Sequence, residues 1–187
     1  MIANVAHRGI RISKDCLFCG EETESQLHLF FQCRFAKEIW GLSSHNIPTD
    51  GSWINSDSNA GIGWSLHDIH GRCIIKSYSS VEPTSSVLET EAIALRQALF
   101  QLKRLNYRQV TFCGDSATLY HYLEKAAKQS HPPPGNKEIQ RYIDDILGLS
   151  NGAYLFKFIP RSANSLADSL AKEARLKKSP LVVSWTC

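Results

Sequence analysis

The order of strand-like and helix-like segments from about residue 50 constrains the fold more than any other feature. Two strand patterns, AGIGWSLHD and GRCIIKSYSS, come first and are joined through a turn near His70 and Gly71. A helix over about 86–104 follows, and then the strand QVTFCG, the helices DSATLYHYLEKAA and KEIQRYIDDILGLS, the strand AYLFKFIP and the helix NSLADSLAKEARLKK. Runs of strands followed by such alternation predict a mixed α/β fold, in which helices flank a mixed sheet.

The remaining segments predict connections and ends. KQSHPPPGN predicts a loop, because three consecutive prolines remove backbone donors and fix φ. Residues 41–49, GLSSHNIPT, predict a short polar connector, and the tail PLVVSWTC is compatible with a terminal strand. The chain is therefore expected to divide into a small N-terminal segment (1–41), a main domain (46–178) and a C-terminal tail (179–187).

The composition is that of an ordinary globular protein. Of 187 residues, 43% are hydrophobic and 21% are charged, which supports one sizeable core and one small appendage. The net charge of +3 is compatible with a nucleic-acid partner without requiring one. No apolar run approaches the length of a membrane span, and the N-terminus lacks the apolar core of a secretory signal. We expect an intracellular protein with no membrane partner, with nucleus and cytoplasm both open; the oligomeric state stays open, with a monomer favoured.

Four residues of metal-binding type lie close together near the N-terminus. Cys16, Cys19, His28 and Cys33 form a C-x2-C-x8-H-x4-C pattern, which supplies the thiolate and imidazole ligands of a tetrahedral Zn²⁺ site. Since all four positions are filled, one structural zinc ion is favoured over a catalytic metal with an open position. A segment this short cannot build its own core, so metal binding would supply much of its folding free energy. The alternative is a set of unrelated buried thiols and a surface histidine.

Basic and aromatic side chains surround this cysteine and histidine pattern. The mixture suits a nucleic-acid surface and a miniature core equally well. These residues are Arg8, Arg11, Lys14, Arg34, Lys37, Phe18, Phe30, Phe31 and Trp40. The other three cysteines, Cys73, Cys113 and Cys187, are scattered, so the six cysteines indicate a metal site plus loose thiols in a reducing compartment better than a disulfide framework.

Four acidic residues lie in or beside the ends of predicted elements. Asp50 precedes the first strand pair, Glu91 lies in the long helix, Asp115 ends the strand QVTFCG and Asp168 lies in the first turns of the last helix. Each has a structural alternative. Asp50 could form a turn with Gly51, and Asp115 could cap a helix. Asp168 could complement a helix dipole, and Glu91 could reach solvent from the edge of the apolar face.

Helical periodicity singles out Glu91 in the segment SVLETEAIALRQALFQL. Glu91 lies at the edge of the apolar face, whereas Glu89 lies on the flank with Arg96. That apolar face carries Leu88, Ala92, Leu95, Leu99 and Leu102. If the four carboxylates converge on one face of the sheet, they repel one another unless cations bind. Two Mg²⁺ ions about 4 Å apart, or Mn²⁺ in their place, would offset this repulsion and permit in-line phosphodiester hydrolysis.

Several of these motifs together resemble a known family. The run TDGSW, AGIGWSLHDIHG, LETEAIALRQAL, VTFCGDSATLY and FIPRSANSLADSLAKEA resembles the ribonuclease H type 1 domain, and specifically the plant ribonuclease H-like domain of non-LTR retrotransposon reverse transcriptases. Its most specific part is the R-x2-N-x2-AD-x-LA pattern that begins at Arg161 and includes Asn164 and Asp168. The N-terminal pattern, with HLFFQC and EIW, is similar to the zinc-binding region of the same reverse transcriptases. Together the two resemblances cover about residues 7–176.

The resemblance implies both a fold and an activity. It implies a ribonuclease H-like five-stranded mixed sheet with helices on both faces, and a Mg²⁺-dependent endonuclease that hydrolyses the RNA strand of RNA–DNA hybrids. Nucleic acid is the implied partner, recognised through 2′-OH and backbone contacts more than through sequence, and no small-molecule cofactor is implied. The implied catalytic and Mg²⁺-binding carboxylates are Asp50 in DGS, Glu91, Asp115 in GDS and Asp168 in AD-x-LA.

Two of the departures from the family pattern bear on the candidate site. Many members have a histidine six positions before the asparagine of R-x2-N, and Phe158 stands there in this chain, which implies slower turnover rather than none. The stretch SSHNIPT before Asp50 is poor strand material and predicts a first strand that is shortened or at a sheet edge. These departures keep open a second interpretation, a retroelement-derived nucleic-acid-binding protein that is catalytically weak or inactive.

Basic residues near the ends of two helices are candidates for phosphate contacts. They are Lys103, Arg104, Arg108, Arg175, Lys177 and Lys178. The alternative for such charges is an ordinary solvated surface.

Overall fold

The fold is taken from a computed structural model, which describes residues 15–16, 18–20, 28, 33, 45–68, 70–127 and 137–185. The predicted loop KQSHPPPGN lies outside the described residues, as do all of the basic and aromatic residues around the cysteine pattern except Phe18. Phe18 is exposed. The division into segments 1–41, 46–178 and 179–187 stays a prediction. Within the described part of the chain, no helix is long and apolar enough to cross a bilayer.

Six strands form one mixed sheet in the order β5-β4-β1-β2-β3-β6. Strand β1 runs antiparallel to β2 and parallel to β4, β4 runs parallel to β5, and β3 runs antiparallel to β2 and β6. The strands are β1 (His45–Ser52), β2 (Ala60–His67), β3 (Cys73–Val81), β4 (Val110–Gly114), β5 (Leu155–Phe158) and β6 (Val182–Trp185). The mixed sheet is confirmed, and β6, in the tail, adds a sixth strand to the five that the resemblance implies.

The first strand is neither short nor at an edge, so that prediction was wrong. Strand β1 has 8 residues and lies between β2 and β4. It includes most of the stretch predicted to be a connector. Its alternate residues His45, Ile47 and Thr49 are buried by tertiary contacts that local composition does not reveal. Pro48 pairs with Cys113 of β4 in the parallel ladder. In the ladder with β2, the paired residues are Asn46 and then Thr49, so the proline lies where no pair with β2 forms.

Four α-helices complete the described part of the fold. They are α1 (Val87–Arg104), α2 (Ala117–Ala126), α3 (Gln140–Ser150) and α4 (Ser165–Lys177). Helix α1 begins where predicted, because Ser86 is its N-cap and its hydroxyl accepts a hydrogen bond from the Glu89 amide at 3.1 Å. The predicted apolar face of α1 is buried at Ala92, Leu95 and Leu99.

Helices α1 and α4 pack on opposite faces of β1 and β2. A Cβ at Gly51 would lie 2.8 Å from the Thr90 carbonyl carbon in α1, so Gly51 faces α1. A Cβ at Gly63 would lie 2.6 Å from the Ala171 nitrogen in α4. Gly63 pairs with Asp50, and side chains alternate along a strand, so Asp50 faces the α4 side.

The main core lies between the sheet and the helices and is one continuous cluster. It includes Trp64, Phe112, Leu95, Tyr120 and Ile143, which are all almost completely buried. Burial of this apolar surface fixes β1 and β4 side by side, and both strands end near the predicted carboxylates.

Candidate active site

Three of the four predicted carboxylates converge. Oxygens of Asp50 in β1, Glu91 in α1 and Asp115 directly after β4 all lie within 4.8 Å of one another. Asp50 is 3% exposed and Glu91 is 6% exposed. We call Asp50, Glu91 and Asp115 the carboxylate cluster.

Tyr120 of α2 fixes the ends of the strands that carry the carboxylate cluster. Its hydroxyl hydrogen-bonds to the Thr49 hydroxyl at 2.6 Å and donates to the Cys113 carbonyl oxygen at 2.8 Å. The Tyr120 ring fits because residue 114 is glycine, where a Cβ would lie 2.2 Å from the ring. The residues that follow Thr49 and Cys113 are therefore held together at the C-terminal ends of these two parallel strands.

The backbone of α1 approaches the same strand end closely enough for Glu91 to join the cluster. A Cβ at Gly51 would lie 2.9 Å from the Glu91 nitrogen, so any larger residue would push α1 away. The backbone N–H of Gly51 lies near the Glu91 carboxylate and lowers its pKa, against the larger rise caused by burial. Glu89, by contrast, accepts from the Ser85 amide at 2.7 Å and from the Tyr142 hydroxyl at 3.0 Å, away from the cluster.

Asn164 is a site residue that sequence reasoning did not assign a role. Its side-chain nitrogen lies 3.0 Å from the Thr49 carbonyl oxygen, from Asp50 Oδ1 and from Asp115 Oδ1. The residue is completely buried. An amide group has two N–H donors for these three acceptors, so it shares its protons among the two carboxylates and the strand. The sequence marks Asn164 only as the asparagine of the R-x2-N pattern, and that pattern does not indicate which groups the side chain contacts.

Burial and mutual repulsion raise the pKa values of two carboxyl groups. The pKa of Asp50 rises from 3.8 to about 7, chiefly because the group is buried and then because Asp115 and Asp168 lie nearby. Burial also raises the pKa of Glu91 well above its usual value, and the charges of Asp50 and Asp115 raise it further. Glu91 Oε2 is buried and has no hydrogen-bond partner among the described residues. The cluster is thus suited to accept a cation.

Asp168 lies beside the carboxylate cluster but outside the group that shares the 4.8 Å spacing. Its Oδ1 lies 3.1 Å from Arg161 Nη2, and its Oδ2 lies 2.6 Å from Lys172 Nζ. Arg161 Nη1 is also 4.0 Å from Asp115 Oδ2. Asp168 is close enough to contribute to the raised pKa of Asp50. The catalytic and metal-binding roles of the four residues stay predictions.

The four residues of the N-terminal pattern also meet. Ligand atoms of Cys16, Cys19, His28 and Cys33 lie within 4.8 Å of one another. The sulfurs of Cys16 and Cys33 are 3.8 Å apart, and Cys19 Sγ is 3.2 Å from His28 Nε2. Zn–S bonds of about 2.3 Å give a tetrahedral S–S separation of about 3.8 Å, so the donor set and this spacing fit a metal ion of that size.

Phe158 occupies the end of β5, level with Gly114 of β4. Its ring lies against the His121 ring at a centroid distance of 5.0 Å, and its backbone N–H donates to Glu124 at 2.9 Å. The position where the resemblance implies a histidine is therefore apolar here and is packed against α2.

The basic residues proposed for phosphate contact have varied surroundings. Lys103 donates to the Leu149 carbonyl oxygen at 3.0 Å, and Arg104 lies 5.8 Å from the centre of the Phe100 ring. Arg175 donates to the Ser52 hydroxyl at 2.9 Å, on the face of the sheet that holds Asp50. The remaining three are Arg108, which is exposed, Lys177, which pairs with Glu173 at 2.7 Å, and Lys178, which is the C-cap of α4.

Comparison with protein families decides the classification. The family model described as reverse transcriptase-like matches residues 48–174, which include all four carboxylates. The chain belongs to the reverse transcriptase-like family. A second model, described as zinc-binding in reverse transcriptase, matches residues 1–40 and so contains the Cys16–Cys33 pattern. No significant match to a curated protein was found.

Solved structures show that this member of the family has the ribonuclease H fold. Ribonuclease H1 of Halobacterium salinarum NRC-1 is 22% identical over 73% of this chain and 99% of that one, with a TM-score of 0.61. LC11 ribonuclease H1, solved in complex with an RNA/DNA hybrid, is 24% identical over 72% and 98%, with a TM-score of 0.60. The foamy viral protease-reverse transcriptase, in complex with double-stranded DNA, is 18% identical over 73% and 96%, with a TM-score of 0.56.

Proposed function

We propose that this protein is a divalent-cation-dependent endonuclease that hydrolyses the RNA strand of RNA–DNA hybrids. The observation that carries the proposal is the carboxylate cluster, in which oxygens from three separate elements lie within 4.8 Å. Burial raises the pKa values of two of these groups, so the fold is less stable when they ionise, and cation binding would offset that loss.

The chemistry of the donor set favours Mg²⁺ or Mn²⁺. Carboxylate oxygens suit these hard cations, and the unpartnered Oε2 of Glu91 is a free ligand atom inside the cluster. Asp50, Glu91 and Asp115 would hold the cations, with Asp168 beside them. Bound cations would supply an activated water and neutralise charge on the leaving oxygen.

The chain's own side chains position the reactive groups. Asn164 donates to both Asp50 and Asp115, so the two carboxylates keep a fixed separation before a cation arrives. Tyr120 holds the strand ends that carry them. A site built on strands and packed helices in this way loses little order when substrate binds.

The substrate class is supported by likeness of fold. LC11 ribonuclease H1, whose structure contains an RNA/DNA hybrid, shares this fold over most of both chains. A protein of this kind selects a hybrid through backbone shape and 2′-OH groups, because an A-form-like duplex offers few base edges to read.

We also propose that Cys16, Cys19, His28 and Cys33 hold one structural Zn²⁺ ion. Three of these side chains are at most 2% exposed, and soft thiolate ligands select zinc over Mg²⁺. The match of residues 1–40 to a zinc-binding region supports this assignment.

A cleavage assay on matched substrates tests the proposed activity. The full chain is incubated in Mg²⁺ and in Mn²⁺ with four substrates of one sequence: an RNA–DNA hybrid, double-stranded RNA, double-stranded DNA and single-stranded RNA. We expect cation-dependent cleavage of the RNA strand in the hybrid and little cleavage of the other three. A folded protein that leaves the hybrid intact in both cations would contradict the proposal.

A second candidate is a nucleic-acid-binding protein with little or no turnover. Phe158 favours it, because an aromatic hydrocarbon packed against His121 cannot exchange protons at that position. Hybrid binding measured by fluorescence anisotropy, together with no cleavage in that assay, would select this candidate.

A further inference from the structure

Both oxygens of the Asp168 carboxylate are engaged by cationic side chains. Arg161 Nη2 lies 3.1 Å from Oδ1, and Lys172 Nζ lies 2.6 Å from Oδ2. Arg161 also extends toward the carboxylate cluster, with Nη1 4.0 Å from Asp115 Oδ2. The side chains of Arg161 and Lys172 therefore neutralise part of the negative charge that would attract a divalent ion.

The cationic side chains of these two ion pairs are largely exposed to solvent. The side chains of Arg161 and Lys172 are 74% and 49% exposed, whereas that of Asp168 is 17% exposed. Exposed ion pairs contribute little net stability, so both cationic groups can exchange partners with little loss of free energy. A phosphate is an equally good partner for a guanidinium or an ammonium group.

Arg161 and Lys172 flank the residue that ties α4 to the carboxylate cluster. Arg161 begins the short 3-10 helix Arg161–Ala163, which leads directly to Asn164, and Lys172 lies one turn of α4 beyond Asp168. Asn164 in turn contacts Asp50 and Asp115. The backbone positions of Arg161 and Lys172 are therefore held beside the carboxylates, while their exposed side chains extend into solvent.

We propose that Arg161 and Lys172 are displaceable counter-ions of Asp168, which the phosphates of a bound nucleic acid draw away. This inference rests on the proposed function, because it requires a divalent cation at the carboxylates. In the free protein the two groups weaken cation binding. When the phosphates of a nucleic acid pair with Arg161 and Lys172, the Asp168 carboxylate becomes available to the cation. Nucleic-acid binding and cation binding therefore strengthen each other reciprocally.

Cation affinity of the free protein tests the first half of the inference. Mn²⁺ is titrated calorimetrically into the full chain without nucleic acid. Arg161→Ala and Lys172→Ala should each tighten Mn²⁺ binding about two- to fivefold, the size expected for an exposed ion pair. Arg72→Ala is the matched control, since Arg72 is 77% exposed and pairs with Asp68 at 2.7 Å in the turn between β2 and β3. That variant should bind Mn²⁺ as wild type does.

A double-mutant cycle separates a counter-ion from general repulsion of the metal. In an Asp168→Asn background, Arg161→Ala should tighten Mn²⁺ binding less than it does in the wild-type background, because only the contact of Arg161 with Asp115 then remains to be lost. A gain that persists undiminished in that background would overturn the proposal. If Glu91→Gln binds Mn²⁺ as wild type does, the carboxylates are not the cation site and the proposed function fails with the inference.

The second half concerns the coupling to nucleic acid. Fluorescence anisotropy gives the affinity for a labelled hybrid with no divalent cation and with saturating Ca²⁺. Wild type should gain more affinity from Ca²⁺ than Arg161→Ala does. Equal gains in the two proteins would overturn the inference while leaving the proposed function intact.

Discussion

Asp50 combines deep burial with a titration near neutral pH. Its pKa is about 7 in the folded protein, against an ordinary value of 3.8. Between these values the folded state binds more protons than the unfolded state, so the stability that Asp50 contributes is fully present below pH 3.8 and is lost as pH rises through 7. Without divalent cations, the free energy of unfolding should therefore fall as pH rises across this window.

The Asp50→Asn variant tests that pH dependence. The amide keeps an oxygen acceptor for Asn164 but cannot ionise, so the variant should lose less stability between pH 4 and 8 and exceed wild type at pH 8, by an amount on the order of a few kcal/mol. Chemical denaturation at several pH values, in buffer without added divalent cations or chelator, measures the difference. Parallel pH profiles for the two proteins would contradict the account of this residue.

Phe158 is the second residue whose replacement is informative. An imidazole at the end of β5 would restore a group able to exchange protons at neutral pH, so Phe158→His should raise the hybrid turnover rate about tenfold or more. Single-turnover and steady-state rates in Mg²⁺ measure the effect, and Phe158→Leu serves as the control for lost ring packing. A histidine variant no faster than the leucine variant would show that proton exchange at this position does not limit turnover.

At the level of elements, the packing of α4 on β2 depends on glycine. A Cβ at Gly61 would lie 2.1 Å from the Ala171 carbonyl oxygen and 2.6 Å from the Arg175 nitrogen. Both are backbone atoms, so Gly61→Ala must move α4, and we expect a loss of about 3 kcal/mol. Cleavage should fall as well, because α4 carries Asp168 and its N-cap is Asn164.

Gly148→Ala is the matched control for the glycine prediction. Gly148 lies within α3, and a Cβ added there would meet no neighbouring atom within 4 Å. Alanine should therefore stabilise the protein by roughly 0.5–1 kcal/mol and leave cleavage unchanged. Thermal melting of wild type and both variants measures these stability differences. A Gly61→Ala protein as stable as wild type would show that α4 does not depend on close contact with β2.

Most elements were predictable because their local signals and tertiary environment agree. Helix α1 has a serine cap and an apolar face of helical period, and both features appear in the structure. Strand β1 was not predictable, because Asn46 and Pro48 are weak strand formers. His45 is stabilised there by an edge contact with the Tyr107 ring at 5.1 Å, and Thr49 by a hydrogen bond to Tyr120. Both partners are more than 60 residues away along the chain, beyond the reach of local patterns.

The same limit applies to the candidate site. Periodicity separates Glu91 from Glu89, and the structure places Glu91 in the carboxylate cluster and Glu89 at the start of α1 with Ser85. The contacts of Asn164 with two carboxylates and the pairing of Asp168 with Arg161 depend on how α4 meets the sheet. These contacts depend on the packing of the whole domain, and the residue pattern of α4 alone does not predict them.

For the whole molecule, the N-terminal segment should depend on its metal. We expect one zinc ion per chain in wild type, and loss of that ion in Cys16→Ser and in Cys33→Ser, because three remaining ligands hold zinc poorly. Elemental analysis of the purified proteins measures the zinc content. Cys73→Ser, outside the four-residue cluster, should keep its zinc. Unchanged zinc content in the Cys16 and Cys33 variants would refute the assignment.

The measurement that tests the central claim most directly is the rate of hybrid cleavage in Mg²⁺ by wild type, Glu91→Gln and Glu89→Gln. Wild type and Glu89→Gln should both cleave, although Glu89→Gln should lose about 1 kcal/mol of stability, because its amide has one acceptor oxygen where the carboxylate has two for Ser85 and Tyr142. Glu91→Gln should remain folded and lose activity about a hundredfold or more. A folded wild type without cation-dependent cleavage, or a Glu91→Gln variant as fast as wild type, would contradict the account.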